Sequence, residues 1–191
     1  MKLAISGKGG VGKTTLAALL AQVYADQGRD VLAVDADPSP CLAGALGFPE
    51  ELRAKLSPIS EMDALIEERT GAKPGTVGGF FTLNPRVDDI PERFSVTHRA
   101  VRLLEMGAVD LGGSGCICPE SAMLKTLFTH LLFRDDEVLV LVMAAGVNYN
   151  GVWAALGIPL DDDVDLITVG AGLEWSLGGE ARRAPPRRRR R

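Results

Sequence analysis

Lys2 to Ser6 is a short apolar run that leads into Gly7-Lys8-Gly9-Gly10-Val11-Gly12-Lys13-Thr14-Thr15. Leu16, Leu19, Leu20 and Val23 then recur at three- and four-residue spacing, which predicts a helix, and Gly28 stands where a helix-ending glycine belongs. Val31 to Val34 is continuously apolar, the pattern of a strand buried on both faces of a parallel sheet, and it runs into Asp35-Ala36-Asp37-Pro38. Strand, glycine loop, helix and strand make a βαβ unit, so the pattern predicts an α/β fold with a mostly parallel, doubly wound sheet.

Further along, Glu50 to Leu56 and Ile59 to Arg69 read as helical, and Phe80 to Leu83 as a strand closed by Asn84-Pro85. Val101 to Met106 reads as a strand, followed by a glycine-rich loop from Gly107 to Gly115 and then Cys116-Ile117-Cys118. Pro119-Glu120 suits a helix start, and Ser121 to Phe133 carries leucine and phenylalanine at helical spacing. Val138 to Met143 and Val164 to Val169 complete the expected strands. No internal repeat is present.

Length and composition fit this picture. The chain has 191 residues, 46% hydrophobic and 24% charged, which suits one globular domain over residues 1–181. The net charge of −4 joins two unlike parts. Residues 182–191 hold seven arginines and no acid, and without them the body stands at −11. An acidic body argues against nucleic acid as a partner. Ala184-Pro185-Pro186 and the five closing arginines have nothing with which to pack, so 182–191 is expected to be a disordered, solvated tail. No apolar run approaches the ~20 residues of a membrane span, and no basic-then-apolar leader follows Met1. The expectation is a cytoplasmic protein with no membrane partner.

The first glycine loop carries the clearest chemistry. Gly7-x-x-x-x-Gly12-Lys13-Thr14 matches the phosphate-loop pattern, after a strand and before a helix as that pattern requires. The small residues Gly7, Gly9, Gly10, Val11 and Gly12 let successive backbone N–H groups turn toward the β- and γ-phosphates of a nucleotide such as ATP. The start of the helix adds its positive end. Lys13 would contact β- and γ-phosphate oxygens, Thr14 would ligate Mg²⁺, and Thr15 would donate to the α-phosphate.

Three cysteines make no disulfide framework. Cys116 and Cys118 supply only two thiolates, whereas thiolate zinc sites usually take four protein ligands. One pair from each subunit of a symmetric dimer would supply four. Thiolates suit Zn²⁺, Cu⁺ and Ni²⁺. Spacing alone leaves metal ligands and inert, half-buried thiols equally open.

Lys8-Gly9-Gly10-Val11-Gly12-Lys13-Thr14 resembles the deviant phosphate loop of the MinD/ParA family. That resemblance implies a nucleotide-sandwich dimer in which Lys8 reaches the partner's phosphates and stabilises transferring charge. It also implies that Asp35-x-Asp37-Pro38 is switch I, with Asp35 supporting Mg²⁺ through bound water and Asp37 orienting the attacking water. A plain turn residue before Pro38 is the other reading of Asp37. More narrowly, the segments Met1 to Thr15, Val34 to Pro38 with Cys41-Leu42, Leu83 to Asp88 and Gly112 to Cys118 together resemble the CooC-type accessory ATPases of carbon monoxide dehydrogenase. The likeness extends over about residues 1–146. It implies an ATP-dependent nickel-insertion ATPase that binds Ni²⁺ between subunits through Cys116 and Cys118, with carbon monoxide dehydrogenase as client. Zn²⁺ is the alternative metal.

The sequence departs from that family at one strand end. The family's aspartate there, which holds the water shell of Mg²⁺, falls at Val142. Ala145-Gly146-Val147 resembles the switch II stretch that follows, but the usual Glu-His pair is here Asn148-Tyr149. The chain is also shorter than the family's usual length. Two readings follow: a truncated or frame-shifted copy, or a variant that binds nucleotide and metal without hydrolysing ATP. A partition ATPase of the ParA/MinD type is a third functional reading, for which neither a membrane-targeting helix nor a basic DNA-binding face is apparent.

Overall fold

The computed structural model describes residues 1–7, 9–75, 80–107, 118–134, 138–143 and 164–169. In chain order these form β1 (Lys2–Gly7), α1 (Lys13–Asp26), β2 (Val31–Ala36), α2 (Leu42–Ala45), α3 (Glu50–Arg53), a 3₁₀ turn (Ile59–Glu61), α4 (Asp63–Thr70), α5 (Ile90–Phe94), β3 (Val96–His98), β4 (Val101–Glu105), α6 (Pro119–Leu132), β5 (Val138–Met143) and β6 (Val164–Val169). The six strands make one sheet in the order β3-β4-β2-β5-β1-β6. All pairings are parallel except β3 with β4 at one edge. The mostly parallel α/β sheet expected from the sequence is therefore present.

Val31 to Val34 of β2 and Val138 to Val142 of β5 are apolar at every position and buried, because both faces of the central strands are covered. Alternate residues of β2 serve different layers, as the two-residue side-chain period requires. Val31 and Ala33 join α1, α2 and the Val138, Val140 and Val142 positions of β5. Leu32 and Val34 join α4, α5 and α6 through Ile66, Ile90, Leu127 and Phe128. The result is a three-layer domain with the sheet in the middle.

Alanine forms the buried stripe of α1, at Ala17, Ala18, Ala21 and Ala25. Leu19 is 61% exposed and Val23 is 49% exposed. The small stripe lets the helix approach a sheet face already filled by Ile5, Val140 and Val142. The leucine spacing marked the helix but not its buried side.

Several expectations need correction. Phe80 to Leu83 is not a strand: it is irregular chain, with Phe80 fully exposed and the Thr82 N–H donating to the Thr70 carbonyl at 2.8 Å. Among the described residues no strand pairs with it, and an apolar run alone does not make a strand. The helix expected over Ile59 to Arg69 is split at Met62 into a 3₁₀ turn and α4. The one expected from Glu50 shortens to Glu50–Arg53 and closes with single turns at Lys55 and Leu56. The antiparallel edge strand β3 and the short helices α2 and α5 were not expected. Residues 108–115, the Ala145 to Tyr149 stretch and the 182–191 tail lie outside the described residues.

Candidate functional site

The site is assembled at the C-terminal edge of the sheet, where parallel α/β folds bind ligands. β1 ends at Gly7 and the loop over Gly9 to Gly12 delivers the chain to α1. Gly10 and Gly12 hold φ of 77° and 92°, in the left-handed region that glycine alone enters at little cost. Among the described residues, a Cβ built at Gly9, Gly10 or Gly12 meets nothing within 4 Å, so packing against neighbours does not demand glycine there. Gly12 is the N-cap of α1 and offers no side chain to cap it, and the first turn holds no acidic residue. The first helical bond runs from the Leu16 N–H to the Gly12 carbonyl at 2.9 Å. A helix start without a side-chain cap is a usual basis of phosphate binding.

Lys13 is buried at the first position of α1, Thr14 is half-buried and Thr15 is exposed. Lys8 lies outside the described residues.

Asp35 is the penultimate residue of β2 and is only 1% exposed. Its Oδ2 accepts the backbone N–H groups of Cys41 and Leu42, each at 2.9 Å, and Oδ1 accepts that of Asp37 at 3.2 Å. Burial pushes the Asp35 carboxyl above its ordinary pKa, against the pull of the N–H groups of Leu42, Asp37 and Cys41. One buried carboxylate therefore ties β2 to the whole turn of residues 37–42. Asp37 is half-buried, and its Oδ1 accepts the Ser39 N–H at 3.0 Å. That contact is the turn geometry of an aspartate before proline.

Val142 stands in register with Ile5 of β1 on one side and with Asp35 of β2 on the other. It is buried and packs in the core layer beneath α1. The middle of the three strand ends at this edge is apolar.

Cys118 is the N-cap of α6, which returns from the end of β4 toward the start of β5, so its N-terminus sits at the same edge of the sheet. The thiol is half-buried, with Sγ 3.1 Å from the Ser121 hydroxyl oxygen. Cys116 lies outside the described residues. Among the described residues no group of three or more His, Cys, Asp or Glu side chains gathers to hold a metal.

Beside Cys118 stands a residue that sequence reasoning did not single out. Glu120 accepts the Gly75 N–H through Oε1 at 2.7 Å, while its Oε2 is buried with no hydrogen-bond partner. Burial raises the pKa of this carboxyl. The Glu120 N–H, the Cys118 thiol and the Gly75 N–H outweigh that and hold it below the usual range. No motif could have signalled it, since the contact that fixes it comes from 45 residues away.

A nucleotide loop at the end of β1, an anchored carboxylate at the end of β2 and a parallel sheet are the parts of one known domain. The family model of the CobQ/CobB/MinD/ParA nucleotide binding domain matches residues 2–169. The chain belongs to that family. Among its relatives is the carbon monoxide dehydrogenase accessory protein CooC of Rhodospirillum rubrum, 50% identical over 151 residues, which are 79% of this chain and 57% of that protein. An uncharacterized ATP-binding protein of Methanocaldococcus jannaschii is 46% identical over the same shares. A second from that organism is 31% identical over 79% of this chain and 61% of its own length. This CobQ/CobB/MinD/ParA domain thus spans somewhat more than half the length of the curated relatives it matches. No helix among its described residues is long and apolar enough to cross a membrane.

Proposed function

We propose that this chain is an ATP-dependent accessory protein for the maturation of carbon monoxide dehydrogenase, acting in the cytoplasm and handling nickel at the interface of a homodimer. The observation that carries the reading is the 50% identity to the accessory protein CooC across 79% of the chain. The glycine loop and the donor chemistry of Cys118 are consistent with it.

In this reading Gly7 to Gly12 and the start of α1 hold the phosphates of ATP, Lys13 neutralises them, and Thr15 binds the α-phosphate. Thr14 would hold Mg²⁺ directly and Asp35 through water, and bound Mg²⁺ supplies charge neutralisation at the phosphates. Asp35 also fixes residues 37–42, which sets where the Asp37 carboxylate stands to orient water. Lys8 acts across the dimer on the partner's nucleotide. Cys116 and Cys118 of both protomers bind Ni²⁺, the cargo, as four thiolates.

A second reading has one specific observation in its favour. Val142 puts a buried apolar side chain in register with Asp35. A protein built this way would bind nucleotide and metal and turn ATP over slowly or not at all.

The test is Ni²⁺ bound per protomer, by equilibrium dialysis with Mg²⁺ and a non-hydrolysable ATP analogue, for wild type and Cys116→Ser/Cys118→Ser. About one Ni²⁺ per two protomers, lost in the double variant, is the expected result. Nickel binding that ignores the cysteines would defeat the metal assignment and leave a nucleotide-binding domain of other purpose.

A further inference from the structure

A groove runs between α1, the end of α2 and the tight turn that joins β3 to β4. Thr15, Leu19 and Gln22 line it from α1, Leu46 and Gly47 from the end of α2, and Arg99 from the turn, around a volume of about 360 Å³. Leu19 is 61% exposed, and Val23, one helical turn on, is 49% exposed, so the rim along α1 is apolar. Arg99 is the one charged group among the described residues that line the groove. Among the described residues no hydrogen bond or ion pair engages it, whereas nearby Arg102 pairs with Asp30 and Glu92. Arg99 and Ala100 are the whole connection between the paired residues His98 and Val101, and they hold φ of 47° and 62°. A two-residue hairpin turn with both φ positive strongly prefers Asn and Gly. An arginine there costs backbone energy, so the turn itself does not account for it. His98 packs on Phe48 with ring centroids 5.1 Å apart, which ties the turn to the chain just after α2. A Cβ at Gly47 would lie 3.9 Å from an Arg99 guanidinium nitrogen, so that group rests beside the end of α2.

We infer that this groove is a docking surface for a partner protein, and that it takes a segment in which one carboxylate stands close to an aliphatic side chain. The carboxylate pairs with Arg99 and the aliphatic group covers Leu19. Charge complementarity selects that occupant. The guanidinium offers a planar fork that fits a carboxylate. The body outside the arginine tail carries −11, so an acidic run would be repelled beyond the reach of Arg99, and a second copy brings the same net charge. The partner is the client enzyme of the proposed maturation role, and the inference rests on that reading. Docking here bears on α1, which begins at the phosphate loop, and on α2, whose first residue is bonded to Asp35 at 2.9 Å. The partner therefore touches both elements that frame the nucleotide site.

The experiment measures binding of nickel-free carbon monoxide dehydrogenase to the full chain by biolayer interferometry, with Mg²⁺ and a non-hydrolysable ATP analogue, for wild type, Arg99→Asn and Leu19→Ser. Nucleotide affinity and the urea midpoint are recorded for each chain, and sedimentation reports self-association. The expected result is affinity for the enzyme lower by about tenfold or more in each variant, with nucleotide affinity and self-association unchanged. The urea midpoint of Arg99→Asn should equal or exceed that of wild type, because asparagine suits the turn. Wild-type affinity for the enzyme in either variant overturns the groove as its docking surface and leaves the maturation reading standing. A lowered midpoint for Arg99→Asn also overturns it, because Arg99 would then serve the fold. Altered self-association in either variant assigns the groove to a second copy and overturns the partner. Absence of enzyme binding by wild type, with nucleotide still bound, overturns the client reading and this inference with it.

Discussion

The Asp35 carboxylate accepts the Leu42 backbone N–H at 2.9 Å and thereby joins the end of β2 to the first residue of α2. The same oxygen takes the Cys41 N–H, and its neighbour takes that of Asp37. In register on β4 stands Glu105, whose pKa is raised by burial first and then by the charges of Asp35 and Glu61. Asp35→Asn puts an NH₂ group among backbone donors and leaves a buried N–H unpaired. The expected cost is roughly 1–3 kcal/mol of unfolding free energy in urea. The same substitution removes a neighbouring charge, so Glu105 should titrate lower, closer to its ordinary value, by carboxyl NMR. A Glu105 titration unmoved by Asp35→Asn would mean that burial and Glu61, not Asp35, raise it.

Val142→Asp restores an acid between the ends of β1 and β2. Without nucleotide it places a second carboxylate in register with buried Asp35, and the fold should lose roughly 2–4 kcal/mol. With saturating Mg²⁺ and ATP, turnover should rise on the order of tenfold or more, if the loss of a charge at this edge is what limits hydrolysis. That gain should vanish in Val142→Asp/Asp37→Ala, with nucleotide affinity kept. A gain that survives Asp37→Ala would remove Asp37 from the water-orienting role and leave it the turn residue that its bond to Ser39 describes.

Asp89 sits at the start of α5, in the layer of α4 and α6. It pairs with Arg69 at 2.8 Å and Arg93 at 2.9 Å, and these two guanidinium groups hold its carboxyl well below the usual carboxylate range. A carboxyl whose folded pKa lies below its unfolded value stabilises the fold above that unfolded value and loses the contribution as pH falls. Wild type should therefore weaken as pH falls below about 4, through the ordinary aspartate range. Asp89→Asn should be less stable at pH 7 by about 1 kcal/mol, a modest figure because the pair is partly solvated. Its stability should be flatter across the acid limb in thermal unfolding at a series of pH values. An acid limb as steep as that of wild type would assign it to other carboxylates.

How far the sequence foretold this molecule depends on whether the signal was local. Val31 to Val34 and Val138 to Met143 were legible because a strand covered on both faces must be apolar at every position. The Gly7 to Thr15 loop was legible because phosphate binding demands small residues and a helix start in a fixed order. Phe80 to Leu83 misled because the same apolar composition also fits an irregular strap, and only the lack of a sheet neighbour separates the two. β3, three residues long, carries too short a pattern to read. The face of α1 was hidden because its buried residues are alanines, which report close approach rather than hydrophobicity. Asp35 stood out in Asp-x-Asp-Pro, but its three backbone bonds depend on a turn whose path the sequence does not declare. Glu120 was invisible, since its meaning comes from Gly75.

Gly107 tests whether the exit from β4 is set by backbone conformation or by packing. Its φ is 79°, and a Cβ placed there would come to 2.0 Å from the Ser60 hydroxyl oxygen and 3.1 Å from the Cβ atoms of Ser60 and Pro58. The hydroxyl can rotate away. The two carbons cannot readily move, because the Ser60 N–H is bonded to the Met106 carbonyl at 3.1 Å and holds that turn against the strand end. Gly107→Ala should cost roughly 1–3 kcal/mol in urea unfolding. Adding Ser60→Ala removes the nearest atom but neither the positive φ nor the carbon contacts, so only part of the loss should return. Full recovery in the double variant would show that the hydroxyl clash was the whole cost and that the left-handed conformation imposes none. Partial recovery would leave the remaining cost to the positive φ and the two carbon contacts together.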